Sequence, residues 1–250
     1  MSFAKVKGVG MAKKSIIVVG AGPGVGYETA ERFANEGFAV GLIRRDIHQL
    51  EPFADKLRAQ GRTVHGVSAD AADPESLGAA IVQLGDALGG IDVLLYNVPG
   101  PLGEAYGPAL DIDLNALQEF LTLRVVSVLA SVQAARPHLL AGRGSVLITS
   151  GQSDRNSFPG TGLIGAPQAA LRMLARHMHA ELSEHGVYVG YVPLDNPPLY
   201  SNPELESQRT DLPEGFSLPA RVIASDVADK LYELTRTRNA FELAVHAKEL

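Results

Sequence analysis

Residues 16–26 read Ile-Ile-Val-Val-Gly-Ala-Gly-Pro-Gly-Val-Gly, an apolar run that leads directly into four closely spaced glycines. The apolar, β-branched residues predict a buried strand. Glycine permits a positive φ, and the lack of a Cβ lets a diphosphate approach the backbone closely. A helix beginning near Val25 would direct its free N–H groups and its positive dipole end at the phosphates. The pattern predicts a strand–turn–helix unit that binds a dinucleotide; the alternative is a glycine turn without a ligand.

Apolar runs and helical patterns alternate along the rest of the chain. Strands are predicted at 15–19, 39–43, 63–67, 93–96, 145–149, 187–192 and 241–246. Helices are predicted at 24–36, 47–60, 74–88, 114–140, 165–184 and 224–235. Strands that are apolar throughout indicate a parallel sheet covered by helices on both faces. The predicted fold class is therefore α/β, a Rossmann-like doubly wound parallel sheet in a three-layer αβα arrangement.

The predicted organisation is an N-terminal extension at residues 1–14 and one dinucleotide-binding domain at residues 15–250. The 250 residues are enough to bury a large core as one domain. Residues 193–219 contain six prolines and no clear periodicity. Such a long irregular segment is typical of a functional lid or of a disordered loop, and we expect a lid-like loop.

Composition excludes several classes of function. The formal net charge is −6, which does not favour nucleic acid or an anionic membrane as a partner. The chain has no cysteine, so disulfides, thiolate metal sites and a cysteine nucleophile are excluded, and a cytoplasmic location is expected. No apolar run reaches the roughly 18 residues of a membrane span.

The glycine spacing distinguishes between kinds of dinucleotide site. The general Gly-x-Gly-x-x-Gly pattern started at Gly20 requires Gly or Ala at Val25. The spacing Gly20-x-x-x-Gly24-x-Gly26 fits instead, and it resembles that of the short-chain dehydrogenase/reductase family. This resemblance extends over most of the chain, to the acidic turn at 70–73, the strand and turn at 91–99, and the strand at 144–150.

The resemblance implies a set of contacts with a nicotinamide dinucleotide. The family places an Asp near the adenine, which corresponds to Asp70, and ends its fourth strand in Asn-Asn-Ala-Gly, of which Asn97 remains. The implied cofactor-binding residues are Gly20, Gly22, Pro23, Gly24, Val25, Gly26, Arg44, Arg45, Asp70, Ala71, Asn97, Val98, Gln168 and Pro193.

Two arginines at the end of the second strand bear on the choice of cofactor. NAD-preferring relatives carry an acid there, whereas this chain has Arg44 and Arg45. An arginine fork suits a 2′-phosphate and gains little from a neutral hydroxyl, so NADP is predicted. NAD, or no physiological cofactor, remains the alternative. Asp46 could instead neutralise a solvated turn, and Pro23 stands where many NADP users have a second basic residue.

The family's reactive pair, Tyr-x-x-x-Lys, has no match at the corresponding helix. Ile164 falls on the Tyr and Gln168 on the Lys, and Arg124 falls on an Asn that holds a water in the proton relay. Ser150 falls on the active-site Ser, with an ambiguity of one residue. Isoleucine has no proton to exchange, and Gln168 has no charge that would depress a pKa. Arg124 is a poor general acid but could stabilise an alkoxide, so Ser150 and Arg124 are the catalytic candidates.

Other side chains could supply a proton, although none has a characteristic spacing. The candidates are Ser150, Ser153, Asp154, Tyr191 and Tyr200. The favoured interpretation of Asp154-Arg155 is a solvated loop pair. His177 and His179 lie two residues apart on a helix and face different ways, so no metal site is predicted.

Two functional hypotheses follow. The first is an atypical NADP-dependent oxidoreductase that moves hydride to or from a small carbonyl- or alcohol-type substrate, with rerouted proton delivery. The second is a non-catalytic NADP-binding sensor or assembly subunit, favoured by the joint loss of the Tyr, Lys and Asn equivalents. The resemblance further implies a homo-oligomer, a tetramer or dimer paired through the long helix at 114–140.

Overall fold

A six-stranded parallel sheet forms the centre of the computed structural model, which describes residues 13–100, 102, 105–212 and 215–249. The predicted N-terminal extension lies outside the described residues except for its last two positions. The strands are β1 Ser15–Val19, β2 Ala39–Arg44, β3 Val64–Ser68, β4 Val93–Tyr96, β5 Ser145–Gly151 and β6 Tyr188–Leu194. The central strands β1, β2 and β4 are buried except for Arg44 at the end of β2, which explains their apolar composition.

The strand order is β3-β2-β1-β4-β5-β6. The chain therefore runs outward from β1 to β3, crosses back, and continues outward from β4 to β6. The direction of winding reverses between β1 and β4, where Ile16 pairs with Val93 and Val19 with Tyr96. In an open parallel sheet, the crevice beyond the carboxyl ends of the strands at such a point is the usual ligand site. The α/β, doubly wound fold predicted from the sequence is confirmed.

Helices cover both faces of the sheet and shield two apolar layers. The helices are α1 Val25–Asn35, α2 Ile47–Ala59, α3 Pro74–Leu88, α4 Leu114–Leu121, α5 Ser127–Gly142, α6 Gly162–Ser183, α7 Pro203–Ser207 and α8 Ala224–Thr237. One layer lies between the sheet and α1, α2 and α8, and the other between the sheet and α3, α5 and α6. The helix ends follow local signals: Asp73 caps α3 by accepting from two backbone N–H groups, and Gly89 ends it in a left-handed conformation.

Three elements differ from the sequence prediction. The helix predicted at 114–140 is interrupted by a π-helical turn at Thr122–Val126, which separates α4 from α5. The segment 193–219 contains the short helix α7, because Asn202 caps its first turn and proline occupies its first position. The regular strand predicted at 241–246 is wrong: that segment runs beside β6 but makes only isolated bridges, such as that between Tyr191 and Glu242.

A separate two-stranded antiparallel pair is formed by β7 Ala220–Arg221 and β8 Lys248–Glu249. The irregular segment between β6 and α8 is tied back at Leu199, whose N–H donates to Val222 O at 2.7 Å. Among the described residues, no helix combines the length and apolar character that crossing a membrane requires.

Candidate active site

The glycine turn is held so tightly that backbone atoms exclude a side chain at two of its positions. Gly20 has φ 87°, and a Cβ built there would lie 2.3 Å from the Asn97 carbonyl oxygen. A Cβ on Gly26 would lie 2.2 Å from the Gly20 carbonyl oxygen. These distances are far below van der Waals contact, so only glycine lets β1, β4 and the start of α1 approach one another in this way. The turn thereby brings the N-terminus of α1 to the switch point of the sheet.

The outer side of the turn is covered by the segment that follows β6. Gly24 has φ 85°, and a Cβ there would lie 2.5 Å from the Tyr200 ring. The Arg209 guanidinium stacks on this ring at 4.1 Å from its centre and also donates to Pro198 O at 2.7 Å. The segment predicted as a lid therefore contacts the glycine turn directly through Tyr200.

Arg44 and Arg45 occupy different environments at the end of β2. The Arg44 side chain turns toward the glycine turn, with its Nη1 atom 3.3 Å from where a Cβ of Gly22 would be. This Nη1 is buried and has no hydrogen-bond partner among the described residues. Burial lowers the pKa of Arg44, and the nearby Asp46 opposes this effect. Arg45 is exposed, and Asp46 caps α2 through a 2.9 Å bond from His48 N.

The other predicted cofactor residues lie along the same carboxyl edge of the sheet. Asp70 is exposed, and its carboxylate accepts from Ala72 N at 2.9 Å, which fixes the turn that contains the buried Ala71. Asn97 follows β4, and the Cγ2 atom of Val98 lies 3.2 Å from where a Cβ of Gly20 would be. The structure thus brings together the ends of four strands: Gly20, Gly22, Pro23, Gly24, Val25 and Gly26 after β1, Arg44 and Arg45 at the end of β2, Asn97 and Val98 after β4, and Pro193 in β6.

Arg124 and Ser150 form a polar pair inside the crevice. Ser150 lies near the end of β5 and is 7% exposed, and its Oγ accepts from Arg124 Nη2 at 3.3 Å. Arg124 Nη2 also donates to Thr149 O at 3.3 Å, and Nη1 donates to Val98 O. Ser150 comes from β5 and Arg124 from the π-helical turn, so only the folded chain brings the two side chains together.

Arg124 is a buried cation. Its residue is 3% exposed, and among the described residues no carboxylate forms an ion pair with it. Burial lowers its pKa from the ordinary arginine value, and Tyr191 and Tyr96 oppose that effect. Arginine starts from so high a pKa that the guanidinium stays protonated at neutral pH. The site therefore holds a positive charge that can stabilise a negative oxygen beside Ser150.

The two residues predicted from the sequence to occupy the family's Tyr and Lys positions have different surroundings. Ile164 is buried in a small apolar cluster with Ala105, Phe120 and Leu163. Gln168 is 8% exposed and packs against Gly151, where a Cβ would lie 2.9 Å from its Nε2. The Gln168 Oε1 atom is buried without a hydrogen-bond partner among the described residues. Neither side chain can donate a proton as a general acid.

Two of the other candidates for proton donation, Tyr191 and Asp154, are less suited to donating a proton than the sequence indicated. Tyr191 is completely buried on β6, and burial raises its pKa above the ordinary value; the nearby Ser150 hydroxyl lowers it and Asp154 raises it. The interpretation of Asp154-Arg155 as a solvated pair is wrong. The Asp154 carboxylate is fully buried, 2.6 Å from Arg155 Nε and 3.6 Å from Arg172 Nε, because α6 brings Arg172 to the loop that contains Asp154.

Three polar contacts near the site have no signal in the sequence. Thr149 Oγ1 donates to Asn97 Oδ1 at 2.7 Å and so links the ends of β5 and β4. Beyond β6, the Asp195 carboxylate accepts from Gln152 Nε2, and His246 Nδ1 lies 3.2 Å from it. The latter partners lie 43 and 51 positions away from Asp195, too far for a spacing pattern. Within the described part of the chain, no group of three potential ligands could hold a metal ion.

The crevice meets the requirements of a dinucleotide. The glycine turn leaves no room for a Cβ at two positions, and Arg44 Nη1 beside it lacks a partner among the residues that the structure describes. Further along, the Gln168 Oε1 atom is buried and, within the same residues, unpartnered. Buried polar atoms are nearly always hydrogen-bonded, so unpartnered ones along one crevice indicate where a polar ligand binds.

Comparisons with known proteins agree with this geometry. A family model described as short chain dehydrogenase matches residues 14–195. The serine 3-dehydrogenase of Rhizobium radiobacter is 30% identical over 70% of this chain and 68% of its own length.

Solved structures share the fold over nearly the whole chain. The alcohol dehydrogenase of Thermococcus sibiricus, complexed with 5-hydroxy-NADP, superposes with a TM-score of 0.80 at 19% identity, over 95% of this chain and 97% of that one. A short-chain dehydrogenase of Burkholderia cenocepacia in complex with NADP gives 0.77 at 24% identity, over 94% and 97%. With the strand order, the glycine turn and the family match in agreement, this chain belongs to the short-chain dehydrogenase family of NAD(P)-dependent oxidoreductases.

Proposed function

We propose that this protein is an NADP-dependent oxidoreductase for a small carbonyl- or alcohol-type substrate, in which proton delivery does not use the family's Tyr-x-x-x-Lys pair. The observation that carries the proposal is the contact between Arg124 and Ser150, a buried cation 3.3 Å from a hydroxyl at the end of β5. A cation in this position stabilises a negative oxygen but does not protonate it readily.

NADP is the proposed cofactor, with NAD as the alternative. Arg44 supports NADP because its buried Nη1, unpartnered among the described residues, needs an anionic or polar partner beside the glycine turn. Two structural relatives are complexed with NADP or a derivative of it. The glycine turn would hold the diphosphate against the N-terminus of α1, and Gln168 would bond a ribose hydroxyl. The bound nicotinamide would supply or accept the hydride.

The protein's own side chains would divide the remaining tasks. Ser150 would donate a hydrogen bond to the substrate oxygen, and Arg124 would stabilise the charge that develops on it. Ile164 would line the substrate space with apolar surface, since its neighbours are Phe120 and Leu163. We infer that Ile164 and Gln168 stand in place of the family's Tyr and Lys, so the proton must arrive by another route, such as water.

We also infer that the protein is a homo-oligomer. The outer surface of α4 to α6 exposes apolar side chains, among them Leu114 at 79%, Val126 at 46% and Met173 at 57%. We infer that these exposed apolar side chains are covered in an interface between copies of the chain. Light scattering at micromolar concentration should therefore give the mass of a dimer or tetramer, and a monomer would contradict this inference.

The test of the function is a titration with NADPH and NADH, followed by a panel of carbonyl compounds monitored by the loss of reduced-cofactor absorbance. We expect NADPH to bind more tightly and at least one carbonyl compound to be reduced. Tight NADPH binding without turnover of any compound would favour the alternative, a non-catalytic sensor or assembly subunit. Failure to bind either nucleotide would contradict both.

A further inference from the structure

Arg124 is a buried cation, and none of the described residues supplies an opposite charge to it. Its guanidinium donates to two backbone carbonyls, Val98 O and Thr149 O, and to the neutral hydroxyl of Ser150. A guanidinium has five N–H donors, so two remain, and the buried Nε has no partner in the described part of the chain. Burying an unpaired charge is costly, which indicates that a ligand supplies the missing negative charge.

The position of Arg124 in a distorted turn of the helix supports a functional role for its side chain. The residue lies in the π-helical turn at Thr122–Val126, between α4 and α5. Turns of this kind are rare, and they are found most often at functional sites. Tyr96 reinforces the turn because its hydroxyl donates to Leu123 O at 2.5 Å. The guanidinium is thus held against the carboxyl ends of β4 and β5 by a specific distortion of the helix.

The surroundings of the pair can stabilise an oxyanion better than they can protonate it. An oxygen that accepts from Ser150 would also lie close to Arg124, because the two donors are 3.3 Å apart. Burial raises the pKa of Tyr191, which therefore holds its proton firmly. Asp154 is engaged by two arginines. Among the described neighbours of Ser150, none is both a ready acid and free of other partners.

A site that has a cation but no ready acid among its described residues favours one class of substrate. Hydride addition to an isolated ketone gives an alkoxide, a strong base that requires a proton at the same oxygen as it forms. Hydride addition to a conjugated ketone at the β-carbon gives an enolate, a much weaker base that a buried cation can hold until carbon is protonated by water. A site whose described residues offer a cation but no ready acid is matched to the second reaction.

We propose, on the basis of the proposed function, that Arg124 and Ser150 form an oxyanion site for an enolate, and that the substrate is an α,β-unsaturated carbonyl compound reduced at its carbon–carbon double bond. The reduced nicotinamide, when bound, would supply the hydride, which would form a C–H bond at the β-carbon. The C=C electron pair would form a double bond between the α-carbon and the carbonyl carbon, and the C=O π pair would move onto the oxygen beside Arg124 and Ser150. This oxygen pair would then re-form C=O as the α-carbon takes a proton from water, which leaves hydroxide, and the products would be the saturated ketone and the oxidised cofactor.

The first test measures anion binding without turnover. The probe is 4-nitrophenol, whose ionisation is followed by absorbance, titrated into the wild-type protein with and without NADP. We expect the bound probe to be ionised, with its apparent pKa lowered by about one unit, a tenfold change in its ionisation equilibrium. Arg124→Met should abolish this shift, and Arg124→Lys should retain part of it. The control is Arg136→Met, which removes an exposed arginine from α5.

Binding of the probe with the same apparent pKa in wild type and Arg124→Met would overturn the oxyanion site. If Arg124→Met fails to fold, as judged by circular dichroism, Ser150→Ala and Arg124→Lys provide the comparison, and an unshifted pKa in the wild type itself would already contradict the proposal.

The second test identifies the reaction with a matched pair, 2-cyclohexen-1-one and cyclohexanone, and NADPH. We expect cyclohexanone as the product from the enone and reduction of cyclohexanone itself to be at least about tenfold slower. Faster formation of cyclohexanol from cyclohexanone would overturn this inference while leaving the proposed oxidoreductase function intact. Absence of NADPH binding and of reduction of either ketone would contradict both proposals.

Discussion

The glycine turn and the surroundings of Arg124 lie at the same edge of the sheet, yet they are built in different ways. In the turn, the constraints are contacts between backbone atoms, such as those that exclude a Cβ from Gly20 and Gly26. Around Arg124, the contacts join a helical turn to the ends of two strands. The first region requires one residue type at fixed spacing, whereas the second depends on which side chains the fold brings together. The glycine turn can therefore be predicted from the local sequence, whereas the contacts around Arg124 cannot.

The largest effect is expected where the turn leaves no space. In Gly26→Ala, the new Cβ would lie 2.2 Å from Gly20 O, a backbone atom that cannot move without shifting β1 or α1. We expect the free energy of unfolding, measured with urea, to fall by about 2–3 kcal/mol. The control is Gly22→Ala, whose Cβ would meet only the flexible end of Arg44 at 3.3 Å. Equal stability of the two variants would show that the turn is less constrained than its geometry indicates.

The next prediction separates the two arginines after β2. Arg44→Ala should reduce the preference for NADPH over NADH by about tenfold, since one charge-assisted contact with a phosphate contributes about 1.5–3 kcal/mol. Arg45→Ala should change it by about twofold or less, because Arg45 is exposed. Isothermal titration calorimetry with both nucleotides measures the ratio. An unchanged preference in both single variants and in the double variant would contradict the assignment of NADP through these residues.

A smaller effect is expected at the contact between the lid-like segment and the turn. The Tyr200 ring lies on Gly24, on the side from which phosphates would approach α1. Tyr200→Ala should therefore tighten NADPH binding by about fivefold, on the order of 1 kcal/mol. Tyr200→Phe, which keeps the ring, should bind as the wild type does. Weaker binding by Tyr200→Ala would mean that the ring contacts the bound cofactor rather than competing with it.

The smallest effect is expected when the family's reactive pair is introduced at the two positions proposed for it. The double change Ile164→Tyr with Gln168→Lys should leave the native activity unchanged or lower it, and should raise cyclohexanone reduction by less than about twofold. A new lysine would add a second cation to a site that already holds Arg124, and like charges repel. Initial rates with NADPH provide the measurement. A large gain in reduction of this ketone would indicate simple loss of an ordinary site, contrary to a site rebuilt around Arg124.

Much of the framework could be predicted from the order of residues. The bounds predicted for the strand at 93–96 and the helix at 74–88 match those observed, because apolar runs and capping residues are local signals. The π-helical turn at Thr122–Val126 was not predicted, since its residues are compatible with a regular helix. The segment at 241–246 has an apolar pattern, but it forms only isolated bridges beside β6.

The doubly wound sheet and the glycine turn follow from the order of residues alone, because alternating apolar runs and the spacing of glycines express backbone requirements directly. The burial of Asp154 between Arg155 and Arg172 emerges only from the packed molecule, as does the contact of Arg124 with Ser150. Charge pairing depends on which distant segments converge and on how far they exclude water. The sequence pattern predicts neither which segments converge nor how far they exclude water, because both are determined only when the helices pack against the sheet.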